Sequence, residues 1–465
     1  MLIARLDRIS VWSLPGLFVG ILGIGFLFTF YDIFDINVSF IQTCIAIVPG
    51  CTPPKSAGYI GLPVLLNLVG YVIGTLVLSP LCDRFGRRDL LLVTMLLTGI
   101  GSVWTAAIGS YGWFVFARTL TGIGIGADLA IVNVYINEMA PRAGRARYTG
   151  LIFIFSALGA VIGVWLGLIL TTPPAPFPLG VPFALAGPHF ESGWRIMYLI
   201  GGLLALVGVV LRFELPESAR WLIARGRLDE AAKVVASMEA RACRHGPLAA
   251  VAAPAESQPV SDVLGYAAIL ANPTYLWRAL VLLAMWFVSY ITVYAFAAGF
   301  TTVLVSAGYV PPEAGLITAV GTFGFILCAL AAFAWGERIE RKSWLPIAAV
   351  ITVAGALIVG AAGSLTVASL IGSIVIFFGF NLWVPIAYAW TTENFPTRAR
   401  TTGFALVDGL GHLGGGVGLL FIAPMVPQLG ALRGLLLISG FLVLGALIAQ
   451  FGIRARGRAL DELSP

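Results

Sequence analysis

Six ionisable side chains fall inside long apolar runs of this chain: Asp32, Asp35, Arg118, Asp128, Asp408 and His412. A charge at the centre of a bilayer costs roughly 2.5–3.5 kcal/mol even on lenient insertion scales, so each needs a partner or a task. Reversible proton binding suits such acids, because neighbours and hydration decide whether the carboxyl is charged. Counting along helices groups them. One run ends near Phe40 and another begins near Trp113, which places Asp32 8 residues and Arg118 5 residues from the same membrane face. At 1.5 Å per residue those depths differ by only about 4–5 Å. An Asp32–Arg118 pair follows, either as a proton site or as a static tie between two helices. Asp128 lies about 15 Å deeper than Arg118, with no basic neighbour in its own run, and is the second candidate for reversible protonation. Its alternative is an acid hydrogen-bonded to a neighbouring helix. Asp35 is one turn from Asp32, positioned for a ligand contact or for an outer vestibule. Asp408 and His412 share a helix face. They read as a titrating pair, an anion-binding imidazolium, or a polar contact between two halves. Asn133, Tyr290, Tyr294, Asn381 and Trp383 complete the candidate ligand-binding set, with a kink expected at Pro385.

The elements that must position these residues are membrane helices. The 465 residues are 59% hydrophobic and 11% charged, against about 25% charged in soluble domains. Twelve apolar runs are long enough to cross a bilayer as helix: 14–40, 61–81, 90–109, 113–139, 148–171, 194–213, 278–305, 313–335, 344–362, 366–392, 401–423 and 428–453. Strands with open edges would leave backbone groups unpaired in hydrocarbon, so the class is all-α. Basic residues crowd the arm with Arg5 and Arg8, the even-to-odd loops and the C-terminal tail; the other face offers Lys55, Arg195 and Arg433. That bias places both termini in the cytoplasm. It also explains the pI of 9.2 without nucleic acid. Arginine supplies most of the 28 basic residues, lysine standing only at Lys55, Lys233 and Lys342. This usage points to a GC-rich prokaryote and its plasma membrane. The apolar run at the N-terminus is too long for a cleaved signal. Cys44 and Cys51 share the first outer loop, where a disulfide is possible.

Charged loop motifs occur twice. DRFGRR at Asp83–Arg88 is echoed by ERIERK at Glu337–Lys342, and EMAPRAGRARYTG from Glu138 by ENFPTRARTTG from Glu393. The offsets, 254 and 255 residues, agree, so the chain carries a parallel internal repeat. The expected architecture is twelve transmembrane helices in two six-helix bundles, residues 1–213 and 278–465. A cytoplasmic linker at 214–277 contains amphipathic helices and a flexible Ala/Pro stretch. Asp83, Arg87, Glu138, Arg142, Glu337, Arg341, Glu393 and Arg398 are expected to form a cytoplasmic gate of weak, reversible ion pairs. The GIGIG run at Gly122–Gly126 follows no strand and reads as close helix packing rather than a nucleotide loop.

These motifs resemble the major facilitator superfamily, in its sugar-porter-like and metabolite–proton symporter branch. DRFGRR, with Ser79 in place of the usual leading Gly, is similar to the superfamily's loop signature. RTLTGIGIG from Arg118, the Glu138, Pro141, Arg145 group, PESARWL from Pro216 and ENFPTRAR match the branch. Ala219 stands where Pro is usual. The resemblance implies alternating access, a Tyr31-Asp32 and Arg118 proton site, and a monomer moving a small-molecule substrate with protons across the bilayer. The Gln pair of sugar porters is missing from Ala284–Phe296. FTFYDIFDIN and Asp128 are similar to phosphate–proton symporters, although His412 replaces their span-11 Lys. AYAWTTENFPT from Ala387 looks more like symporters of aromatic acids and related metabolites. The expectation is a proton-coupled symporter of a small polar organic metabolite. Its alternatives are a phosphate–proton symporter, an uncoupled facilitator, or a membrane sensor signalling through 214–277. No nucleophile–base set, metal spacing or phosphate loop points to an enzyme or a cofactor.

Overall fold

The computed structural model describes residues 2–455 except 10–12, 14–15, 140–144, 186–190, 245, 249, 251–265, 337 and 397–399. Among the described residues every regular element is helical. Eleven helical stretches are long and apolar enough to cross a membrane. The last, Thr402–Ala449, has 48 residues, about 72 Å of helix against a hydrocarbon core of about 30 Å. It breaks at Gly430, where φ is 72°, and so holds two crossings, for twelve in all.

In the first half, span 1 is Gly16–Phe34, continued by Ile36–Ile47, and span 2 starts as Ala57–Ile73. Spans 3 to 6 are Arg87–Ala107, Tyr111–Met139, Arg145–Thr171 and Gly193–Arg212. In the second half, span 7 is Pro273–Ala297, continued by Phe300–Ser306. Spans 8 and 9 are Pro311–Trp335 and Trp344–Ala362. Span 10 is Val367–Leu382 with Val384–Glu393, and span 11 ends as Leu413–Ile422. Span 12 is the part of Val426–Ala449 that follows the break at Gly430. The helix break at Trp383 falls two residues before Pro385, whose missing N–H and ring preclude an unbroken ladder. Between the halves, Ala219–Ala224 and Leu228–Ala242 form two short helices joined through Gly226, where φ is 72°. Glu239 in the second of these clasps Arg5 and Arg8 of the N-terminal arm.

Span 1 runs further than its composition indicated. The helix continues to Ile47 instead of ending near Phe40, about 10 Å of extra rise. Cys44 therefore sits on the helix, disulfide-bonded to Cys51 in the loop. The glycine run in span 4 is a packing device on two faces. A Cβ on Gly122 would lie 1.9 Å from the Asn67 carbonyl oxygen of span 2, and one on Gly124 2.3 Å from Thr98 Oγ1 of span 3. Any larger residue would force these helices apart.

The two halves meet directly at the end opposite the loop motifs. Span 2 and span 11 touch backbone to backbone, since a Cβ on Gly61 would lie 2.3 Å from Leu420 Cα and one on Gly416 2.4 Å from Leu65 Cα. Asn37, buried in span 1, donates from Nδ2 to the carbonyls of Phe296 (2.9 Å) and Ala297 (2.6 Å) and accepts from Thr301 N (3.0 Å). These three bonds satisfy the groups freed where span 7 breaks. That end is closed.

Candidate functional site

Three buried polar clusters account for the intramembrane charges. The first surrounds Arg118 of span 4. Its Nη1 lies 3.3 Å from Asp32 Oδ2 and 3.5 Å from Asp35 Oδ1, and its Nη2 donates to the Asp32 carbonyl at 2.6 Å. Ser102 of span 3 donates to Asp32 Oδ1. The Tyr198 ring lies 5.5 Å from the guanidinium, within cation–π range. Asn67 of span 2 holds the Arg118 carbonyl at 2.7 Å. Both carboxylate oxygens of Asp35 are buried without a hydrogen bond. Two acids thus face one cation. Asp35 lies in no outer vestibule here: span 1's extension carries the membrane face past it, and its side chain is fully enclosed.

The second cluster surrounds Asp128, which is bonded to neighbouring helices. Its partner comes from span 6: Arg212 Nη1 pairs with Asp128 Oδ1, and Nη2 donates to Oδ2 at 3.0 Å. Thr94 adds a bond at 2.8 Å to Asp128 Oδ1, and Arg212 Nη1 also donates to the Leu91 carbonyl at 2.8 Å. Gly25 makes the room, because a Cβ there would collide with the guanidinium. One acid faces one cation in bidentate geometry. Arg212 escaped the sequence reading because it stands at the end of an apolar run beside Glu214, where a basic residue reads as an interface anchor.

The third cluster lies between the halves. Asp408 of span 11 accepts from Tyr71 of span 2 at 3.2 Å and from Tyr290 of span 7 at 2.8 Å. His412 Nδ1 lies 2.7 Å from the Asp408 carbonyl and 3.6 Å from its carboxylate. The imidazole is sandwiched by the Tyr71 ring at 4.0 Å and the Tyr290 ring at 4.1 Å. His412, Tyr290, Tyr294 and Asn381 line a cavity between the halves. Phe30, Phe34, Phe153, Phe325, Phe380 and Tyr388 supply much of the remaining wall. Tyr388 lies in the AYAWTTENFPT run but was not singled out there, and Tyr71 had no signal beyond one polar atom in an apolar span.

Other expected ligand contacts fall elsewhere. Trp383 is buried behind the cavity, 4.6 Å from Trp286 ring to ring. Asn133 bonds the Leu129 carbonyl of its own helix and is not among the lining residues.

At the loop-motif end, the ion pairs repeat between halves. Arg87 bridges Asp83 (2.8 Å) and Glu138 (2.9 Å), and Arg341 pairs with Glu393 at 3.3 Å. Each of these pairs stays within its own half, tying the loop after span 2 or span 8 to the end of span 4 or span 10. Glu217 of the linker accepts from the backbone N of Arg87 at 3.0 Å and of Arg88 at 3.3 Å. Burial pushes its carboxyl above the usual glutamate range, against the pull of those bonds. Arg142, Glu337 and Arg398 lie outside the described residues.

Twelve spans in two bundles, with a polar-tipped cavity between them and a closed end, define a transporter rather than an enzyme. The chain matches the family described as "Sugar (and other) transporter" over residues 18–464 and belongs to it, within the major facilitator superfamily. It is 25% identical to the niacin transporter NiaP of Acinetobacter baylyi, over 99% of both chains. It is 29% identical to the 4-hydroxybenzoate transporter PcaK of Pseudomonas aeruginosa, over 75% of this chain and 73% of that one. Its fold is similar to the inward-open xylose transporter XylE from E. coli, with a TM-score of 0.68 and 20% identity over 96% of this chain and 98% of that one.

Proposed function

We propose that this transporter is a proton-coupled symporter that imports a small aromatic carboxylate by alternating access, with its loop-motif end in the cytoplasm. One observation carries the coupling: Asp32 and Asp35, both buried, share the single cation Arg118. A net negative charge in that interior is costly, so one proton on the pair neutralises the cluster in this closed arrangement. Asp35 is the acid whose oxygens lack other partners, and it lies two residues from the Asn37 clasp that joins the halves. A proton gained or lost there bears on the closure beside it. Arg118 stays anchored through the Asp32 carbonyl and Asn67. The matched Asp128–Arg212 pair is read as a fastener between spans 3, 4 and 6, not as a second carrier.

The aromatic wall and the polar tips of the cavity support a flat ring bearing one polar group. NiaP and PcaK, named for niacin and 4-hydroxybenzoate, support the same cargo class. The test is uptake of benzoate, nicotinate and xylose into proteoliposomes at equal pH and under an inward proton gradient. Gradient-driven accumulation of the aromatic acids is expected. Equal uptake with and without the gradient would identify a facilitator, and accumulation of xylose alone would reject the cargo class.

A further inference from the structure

We infer that His412 is the group that recognises the cargo's carboxylate, as an imidazolium held ready by tyrosines from both halves. The inference rests on the aromatic-carboxylate reading above. Asp408 accepts a hydroxyl hydrogen at each oxygen, from Tyr71 and from Tyr290, an arrangement that suits an ionised carboxylate. Such a charge needs a counter-ion, and among the described residues the ion partner within reach is His412. The titratable groups facing the imidazole are Asp408 on its own span, Tyr71 on span 2, and Tyr290 and Tyr294 on span 7. Two aromatic faces at 4.0 and 4.1 Å favour the cationic ring. Nδ1 is committed to the Asp408 carbonyl, so Nε2 is the nitrogen left for a ligand, on a residue that lines the cavity. In a cavity walled mainly by aromatic and aliphatic side chains, one cationic N–H fixes where an anionic head group sits and leaves the ring to the apolar wall.

The subsite is also composite. The sandwich and both Asp408 bonds use one tyrosine from each half, Tyr71 and Tyr290. The imidazole is therefore poised for an anion only while spans 2, 7 and 11 keep this arrangement, which ties recognition to the relative position of the halves.

The test compares two probes of one shape, benzoate and benzamide, titrated into full-length protein in detergent. The readout is tryptophan fluorescence, since Trp286 stacks 5.0 Å from Tyr290. Wild type should bind benzoate roughly 10- to 100-fold more tightly than benzamide, the discrimination of a charge-assisted hydrogen bond. In His412→Gln the ratio should fall to about 1. In Tyr71→Phe, which keeps the ring and removes the donor to Asp408, it should fall a few-fold. A wild-type ratio retained in His412→Gln, or an unchanged ratio in Tyr71→Phe, overturns the assignment and leaves the transport reading standing. Wild type that binds neither probe overturns the cargo class and this assignment with it.

Discussion

Span 4 carries two buried ion clusters, 10 residues apart in sequence, and they differ in their arithmetic. Around Arg118 there are two carboxylates and one guanidinium, and Asp35 has two oxygens without a hydrogen bond. Around Arg212 there is one carboxylate, bonded at both oxygens and supported by Thr94. Both are enclosed by protein, so burial does not separate them. The count of charges does. An excess acid is a place for a mobile proton, whereas a matched bidentate pair gains nothing from one and loses its geometry if it takes one.

The largest expected effect comes from unbalancing the matched pair. Arg212→Leu leaves Asp128 buried without a cation and should cost about 3–5 kcal/mol of stability, seen as a fall in apparent melting temperature. Adding Asp128→Leu should recover most of it, because a well-packed apolar pair replaces a buried ion pair at little net cost. No recovery in the double variant would mean that Asp128 and Arg212 act separately.

Asp35→Asn should do the reverse. It removes the unmatched acid, so the melting temperature should hold or rise while coupling fails. One proton per cargo supports about tenfold accumulation per pH unit, and in this variant the ratio should drop to about 1 with exchange of cargo across equal pH retained. Asp128→Asn should melt earlier yet keep gradient-driven accumulation. If it loses coupling and Asp35→Asn keeps it, the two clusters have been assigned the wrong way round. Ser102→Ala sharpens the comparison at smaller scale. It removes one bond to Asp32 and should cost about 1 kcal/mol without abolishing accumulation.

Much of this contrast was legible in the sequence, but unevenly. The Asp32–Arg118 pair emerged from counting helical rise even though the end used for span 1, near Phe40, lies about 10 Å short of where that helix stops. The same counting left an outer vestibule open for Asp35, since the apolar run does not mark how far span 1 continues toward Ile47. Asp128 looked alone because its partner comes from a helix whose arginine sits at an apparent boundary, and only packing shows that Arg212 turns inward. The duplicated loops were legible as a repeat, and Arg87–Glu138 and Arg341–Glu393 occupy equivalent places. Sequence spacing could not say that each pair would stay within its own half. Tyr290, Tyr294, Asn381 and His412 reach one cavity from three spans. Helical periodicity grouped Tyr290 with Tyr294 and could not bring in Tyr71 from the other half.

An acid–arginine contact outside the membrane sets the scale for the buried two. Glu239 joins Arg5 and Arg8 at distances of 2.5 and 2.6 Å, with the side chains partly exposed. Hydrogen bonding from Arg5, aided by Arg8, holds its carboxyl below the usual glutamate range, while partial burial pushes the other way. A carboxyl whose folded value is depressed contributes above its unfolded value and loses that contribution as pH falls through the folded one. The clasp is therefore constant across the physiological pH range. Glu239→Gln should lower the melting temperature slightly at pH 7, and the difference from wild type should shrink below about pH 4 and at about 1 M salt. Coupling should be untouched at every pH. A difference that grows on acidification would reverse the sign argued here. Loss of accumulation in this variant would mean that the N-terminal arm, and not only the Arg118 cluster, governs how the proton is used.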